Sequence, residues 1–199
     1  ENTAVWKVLF ERQMDILPEM AAKEYLDGIK AVGFCADKIP DFGEVNGTLQ
    51  KLTGWSLVVV PGIIAEPVFL QLLSRKKFPA TTWLRKMSEL DYLPEPDMFH
   101  DVFAHVPLLS NKTFCDFFHK LGALGKENIS NQKIVEMLGR IYWFTVEFGL
   151  IKNNGEKKIY GAGILSSHGE TKYSLSDKPQ HLPFDAEVIA NTPFENDKM

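Results

Sequence analysis

From Ile141 to Leu150 the chain reads Ile-Tyr-Trp-Phe-Thr-Val-Glu-Phe-Gly-Leu, an apolar run that carries a single acid, Glu147. A helix through this run is apolar on nearly every side, so it has to be buried. A carboxylate buried with it costs several kcal/mol unless something pairs with it. Two kinds of partner are available: a metal ion, or a base such as Arg140 two turns back or Lys152. The fold has to bring one of them to Glu147.

A metal needs further donors, and the stretch Pro94-Glu-Pro-Asp-Met-Phe-His-Asp-Val-Phe-Ala-His-Val-Pro107 supplies His100 and His105. Two imidazoles and one carboxylate are the ligand set of a mononuclear non-haem iron(II) site that keeps positions open for oxygen and substrate. The spacing is awkward for a helix face. At about 3.6 residues per turn, positions five apart are turned by roughly 140°, whereas the i, i+4 pair of a zinc protease is turned by about 40°. The histidines converge only if the helix ends or bends near His105, which Pro107 encourages. The plainer alternative is one surface and one core histidine. His119, His168 and His181 have no acid or cysteine at ligand spacing and read as structural or exposed.

Bulk properties exclude several classes. A chain of 199 residues suits one domain with a real core. Its 45% hydrophobic and 24% charged residues are ordinary globular composition. The net charge of −4, with acids and bases mixed along the chain, gives no footprint for nucleic acid. Apolar runs such as Leu57-Val-Val-Val60 are far shorter than a membrane span, and no charged-then-apolar leader opens the chain. Cys35 and Cys115 are too few for a disulfide framework, which makes a reducing cytoplasm the expected location. Because the first residue is Glu1 rather than Met, the chain is expected to be a processed or partial version of something longer. No nucleophile elbow, phosphate-binding glycine loop or CxxC pair is present.

Periodicity predicts helices over Ala4–Lys30, broken near Pro18, and over Val45–Leu52. Trp55–Val60 reads as a strand, while Glu66–Ser74 and Trp83–Met87 read as short elements joined by a loop at Lys76–Ala80. Pro96 is expected in the first turn of the histidine helix, with Asp97 at its positive end and Pro107 stopping it. A helix from Asn111 or Lys112 to Leu124 follows, then a long one capped by Ser130 and running to about Lys152, with Asn153-Asn154-Gly155 as its exit. Lys157–Leu165 reads as a strand or hairpin arm, with Gly161 and Gly163 allowing close approach of another backbone or a ligand. Thr171–Leu175 is its candidate partner, and the tail from Pro179 is irregular. The expected fold is mainly α with a small β element, in one domain.

Two further features bear on a site. The Arg85 guanidinium can hold a carboxylate by two parallel hydrogen bonds and so anchor an amino-acid substrate; the plainer alternative is a solvated surface arginine. Ser166-Ser167 could orient a ligand histidine, or could be an ordinary turn.

Tyr92-Leu-Pro-Glu-Pro-Asp-Met-Phe-His-Asp-Val-Phe-Ala-His-Val-Pro107 resembles the iron-binding signature of the tetrahydropterin-dependent aromatic amino acid hydroxylases. Ile141–Leu150, Tyr160-Gly-Ala-Gly-Ile-Leu-Ser-Ser167 and Gly169-Glu170 resemble further motifs of that family, in its order, and the resemblance runs from about Leu52 to Lys178. It implies a catalytic domain of the aromatic amino acid hydroxylase type, with His100, His105 and Glu147 as ligands of Fe(II) and with O2 and a tetrahydropterin as co-substrates. L-phenylalanine, hydroxylated to L-tyrosine, is the implied substrate, with Arg85 on its carboxylate, Ser167 beside it, and Pro96 and Trp143 flanking its ring. Gly62, Ile64 and Phe69 fall on the pterin pocket, with Phe69 stacking on the pterin, and Asp101 is an acid near it.

Some positions depart from that pattern. Ala104 replaces a usual glycine, and Leu93 stands where animal enzymes have a threonine near the substrate carboxylate. The chain stops soon after Asn191-Thr-Pro-Phe194, where the family continues into a segment lining the pocket. With no regulatory domain or tetramerising helix in residues 1–199, a constitutively active monomer is expected. The alternatives are tryptophan or tyrosine as substrate, or a non-catalytic protein that binds an aromatic amino acid or pterin.

Overall fold

Two apolar clusters meet along the stretch that carries the histidines. The computed structural model describes residues 2–91 and 93–194; Glu1, residues 195–199 and Tyr92, which opens the histidine signature, lie outside the described residues. Helices dominate, with two small two-stranded sheets, as the sequence pattern predicts.

The first cluster is built by α1 (Asn2–Met14), α2 (Leu17–Met20) and α3 (Lys23–Val32). Pro18 stands in the first turn of α2, where its missing N–H is no loss, so the break after α1 falls where the sequence puts it. Trp6, Phe10, Tyr25 and Ile29 are buried against Phe99, Phe103 and Ala104 of the histidine stretch. Trp6 meets the Phe99 ring edge-on at 5.5 Å, and the Tyr25 hydroxyl donates to the Phe103 carbonyl at 2.9 Å. One whole face of the histidine stretch is thereby fixed by packing before any ligand is considered.

The second cluster lies on the other face. It is formed by α4 (Phe42–Leu52), β1 (Ser56–Val59), α5 (Glu66–Ser74), β2 (Lys77–Ala80), α6 (Lys112–Glu127) and α7 (Gln132–Tyr142). Trp55, Leu73, Phe78, Val102, Val106 and Phe118 share its core. β2 corrects the expected loop at Lys76–Ala80. Lys76 turns the chain with a φ of 55°, and β2 then lies parallel to β1 in the register Ser56↔Lys77 to Val59↔Ala80. Pro79 hides this strand in the sequence, yet it is tolerated because in a two-stranded sheet its missing donor can face away from the partner.

Other boundaries shift for similar reasons. Trp83–Lys86 forms no regular element, being tied sideways by the bond from Met98 N–H to the Trp83 carbonyl, and only Met87–Glu89 coils, as a 3-10 turn. Pro96 precedes the helix start instead of entering its first turn. Asp97 is the capping residue, accepting from the His100 N–H at 3.1 Å. Pro107 does not stop the chain's coiling but tightens it into a 3-10 turn, Val106–Ser110. α6 begins at Lys112, one of the two predicted starts, with Asn111 as its cap.

The predicted long helix to Lys152 is cut short. It is capped by Asn131 rather than Ser130, ends as α7 at Tyr142, and gives way to β3 (Leu150–Asn153). β3 pairs antiparallel with β4 (Glu156–Ile159), and Asn154 and Gly155, at φ 52° and 89°, form the hairpin turn where a helix exit was expected. The predicted strand through Leu165 is only β4; α8 (Ala162–Leu165) follows, and the candidate partner strand at Thr171–Leu175 is α9 (His168–Ser174). The tail is not wholly irregular, because Asp185 caps α10 (Ala186–Asn191).

Candidate active site

The five-residue spacing of the histidines is resolved by a wider helix. From Phe99 to His105 the backbone coils as a π-helix, closing its hydrogen bonds from i to i+5. Residues five apart then lie on one face, so His100 and His105 converge without any break between them. A second π turn, Trp143–Glu147, follows α7 and does the same for Tyr142 and Glu147, which line the same cavity.

The two turns face each other. His105 Nε2 lies 3.2 Å from His100 Nε2 and 3.1 Å from Glu147 Oε1, and His100 Nε2 lies 3.4 Å from Glu147 Oε2. Three mutually cis ligands, each about 2.1 Å from one metal ion, are spaced by about 3.0 Å. Among the described residues this trio is the one cluster of histidine, cysteine and acidic side chains able to hold a metal ion. The donor set fits iron(II) and leaves other positions open. The base partners weighed for Glu147 are used elsewhere or out of reach: Arg140 pairs with Glu136 and donates to the Ala190 carbonyl, and Lys152 sits exposed on β3.

Electrostatics favour the metal-binding forms. Burial alone would raise the Glu147 carboxyl, but His105, His100 and the hydrogen bonds from His105 and Tyr142 outweigh it and hold it at about 2. Burial lowers His100, so its imidazole stays neutral and keeps a lone pair at neutral pH. Ser166 settles which nitrogen carries that lone pair. Its hydroxyl donates to the Ala162 carbonyl at 2.9 Å, so its oxygen accepts from His100 Nδ1–H at 2.9 Å and Nε2 is left free for the metal.

Backbone packing sets the height of Glu147. A Cβ on Gly161 would lie 2.5 Å from the Glu147 carbonyl oxygen, so only glycine lets the start of α8 come this close. The close approach that the sequence suggests at Gly161 is therefore to the ligand's own backbone.

A cavity of ≈ 160 Å³ opens at the triad. It is lined by His100, His105 and Glu147 together with Pro96, Gly62, Ile64, Phe69 and Asp101, so eight of the residues singled out in the sequence share one space. Phe69 stands edge-on to Tyr142 at 4.9 Å, and Phe78 lies 4.8 Å from the His105 ring. Asp101 accepts two hydrogen bonds from Thr81.

Arg85, Trp143, Ser166 and Ser167 lie outside that lining. Arg85 is no solvated surface residue: it is 8% exposed, and its guanidinium grips the fully buried Asp97 through Nε and Nη2, both at 2.9 Å. Asp97 caps the backbone of His100 with the same carboxylate, which ties Arg85 to the metal-bearing turn. Trp143 stacks flat on Phe194 at 4.4 Å. Ser167 caps α9.

Three residues that complete this arrangement carry no advance signal as site residues. Tyr142 reads as one more apolar neighbour of Glu147, Thr81 falls just past the predicted loop at Lys76–Ala80, and Asp97 reads only as a charge at a helix start. Residues five apart would have pointed to Tyr142 had the π turn been foreseen.

A two-histidine, one-carboxylate centre on facing π turns, opening into an aromatic-walled cavity, defines a mononuclear metal site built to admit other molecules. The sequence profile of the biopterin-dependent aromatic amino acid hydroxylases matches residues 1–199. The phenylalanine-4-hydroxylase of Pseudomonas aeruginosa is 44% identical over 193 residues, covering 97% of this chain and 73% of that protein. A crystal structure of Chromobacterium violaceum phenylalanine hydroxylase with iron(III) and 7,8-dihydrobiopterin superposes with a TM-score of 0.95 at 45% identity, over 100% of this chain and 72% of that one. The iron- and phenylalanine-bound structure of that enzyme gives 0.92 at 43% identity, with the same coverage. The chain spans 62 to 73% of the length of the first bacterial relatives it matches. The chain belongs to the biopterin-dependent aromatic amino acid hydroxylases.

Proposed function

We propose that the protein is a phenylalanine 4-monooxygenase, hydroxylating L-phenylalanine to L-tyrosine with O2 and a tetrahydropterin at iron(II). The observation that carries this reading is the convergence of His100, His105 and Glu147 to within 3.1–3.4 Å beside a cavity lined by Phe69, Asp101 and Pro96. The chemistry a bound iron(II) and tetrahydropterin supply is reductive activation of dioxygen.

The chain's own residues do the placing. Ser166 fixes the tautomer of His100, and His105 and His100 beside Glu147 hold its carboxyl low so that it stays ionised. Three of the five guanidinium N–H donors of Arg85 are used, two on Asp97 and one on the Leu90 carbonyl, which leaves two for the substrate carboxylate. Held from behind by Asp97, Arg85 is pre-set for that contact. Pro96, Trp143 and Ser167 are the candidate walls for the substrate, and Gly62, Ile64, Phe69 and Asp101 for the pterin. Phe69, Phe78 and Tyr142 keep the floor of the cavity apolar and restrict water beside the metal.

We further take residues 1–199 as one catalytic domain acting as a cytoplasmic monomer. The two apolar clusters share Phe34, Ile39, Leu84 and Phe114, which supports a single folding unit. Free Cys35 and Cys115 suit a reducing compartment. No described helix is long and apolar enough to cross a membrane.

The test is turnover of purified protein with iron(II), tetrahydropterin, O2 and phenylalanine, following tyrosine. Product is expected with the native protein and not with Glu147→Ala, which should also lose iron. Native turnover and iron content in Glu147→Ala would remove the triad from the reading. Equal rates with phenylalanine, tyrosine and tryptophan would remove the substrate assignment alone.

A further inference from the structure

We propose that Thr81 is a positioning residue that aims Asp101 at the pterin, an inference resting on the function proposed above. Thr81 is the first residue beyond β2 and is 1% exposed. Its backbone N–H and its hydroxyl both donate to Oδ2 of Asp101, each at 2.8 Å. The strand that delivers it is itself pinned, because Val60 N–H donates to the Ala80 carbonyl at 3.0 Å. The Asp101 carboxylate therefore cannot rotate without giving up two buried bonds.

Its other oxygen is in the opposite situation. Oδ1 accepts no hydrogen bond among the described residues and is not sealed from the cavity, which Asp101 lines beside Gly62, Ile64 and Phe69. A carboxylate oxygen is an acceptor only, so one left without a protein donor at a cavity wall is free to accept from water or from a ligand that brings N–H groups. The amino-pyrimidine edge of a reduced pterin brings them. Thr81 thus occupies the oxygen that must not turn toward the ligand and leaves the other one presented to it.

The backbone N–H survives any substitution, so Thr81→Val removes one of the two restraints at nearly constant shape. Direct binding of 7,8-dihydropterin, followed by fluorescence or calorimetry on iron-loaded protein, reads the effect without turnover. Thr81→Val is expected to weaken Kd by about three- to tenfold, the span of one hydrogen bond, and Thr81→Ser to restore it. In an Asp101→Ala background Thr81→Val should have no further effect, since Thr81 acts through that carboxylate. Iron content and phenylalanine Kd are expected to match the native protein, which separates the effect from a general loss of fold.

Native affinity in Thr81→Val, or an equal loss in the Asp101→Ala background, would overturn the role of Thr81 while leaving the proposed function in place. Failure of the native protein to bind dihydropterin would overturn both.

Discussion

The Ser166 hydroxyl oxygen lies 2.9 Å from His100 Nδ1 while giving its own proton to the Ala162 carbonyl, so the residue that closes α8 decides which nitrogen of a π-turn histidine is free. Removing the hydroxyl in Ser166→Ala leaves the imidazole able to flip or change tautomer. Iron(II) affinity is expected to fall about 10- to 100-fold, the usual cost of losing a partner of a ligating histidine. Metal titration against a chelator measures it, and an unchanged affinity would mean that packing alone orients His100.

Asp97 and Arg85 form a buried pair, and breaking it leaves a guanidinium without its counter-charge. Asp97→Asn is expected to cost about 3–5 kcal/mol at pH 7, read by urea denaturation. The pair also sets an acid limit. Burial works to raise the Asp97 carboxyl, but the Arg85 guanidinium and the N–H groups of Arg85 and His100 outweigh it and hold it below the ordinary 3.8. A carboxyl lowered in the folded state gives stability that is full above its unfolded value and is lost as pH falls through the folded one. Native protein should therefore weaken below pH 3.8, and the gap between it and Asp97→Asn should narrow there; a gap independent of pH would count against the pairing.

Gly161→Ala places a methyl group 2.5 Å from the Glu147 carbonyl and 2.6 Å from the Gly149 nitrogen, backbone atoms that cannot step aside. The expected loss is about 1–3 kcal/mol in stability, with weaker metal binding because the strain falls on the segment that ends in Glu147. Thermal melts with and without metal separate the two effects.

The two thiols should differ sharply toward an alkylating reagent. Burial pushes Cys115 up to about 11, and its thiol is held against the Leu109 carbonyl at 3.1 Å, whereas Cys35 is exposed. At pH 8, mass spectrometry of the folded protein should find Cys35 modified and Cys115 spared, with both reacting in denaturant.

Much of this arrangement could be read from residue chemistry. A lone acid in an apolar helix demanded a partner, and the partner lay in the histidine stretch. The capped start of α6 at Asn111 and the helices around Pro18 followed local rules and appeared where those rules put them. What escaped reading shares one cause, which is that long-range packing chose between local options. Pro79 and a short segment disguised β2 until β1 lay beside it. Asn154-Gly155 serves a hairpin as well as a helix exit, and only the pairing of Leu150 with Ile159 decides which. The five-residue interval looked like a flaw under α-helical geometry and became the reason for convergence under π geometry.

The two π turns, Phe99–His105 and Trp143–Glu147, stand in the interior but belong to separate segments of the chain. An ion gripping His100, His105 and Glu147 would staple both at once, joining parts of the chain far apart in sequence. The metal is then a fastening as well as a reagent. The protein's melting temperature should climb with metal concentration, and amide exchange should slow first at residues 99–105 and 143–147. A cell short of iron would in this way lose both the activity and some of the protein's resistance to unfolding and proteolysis.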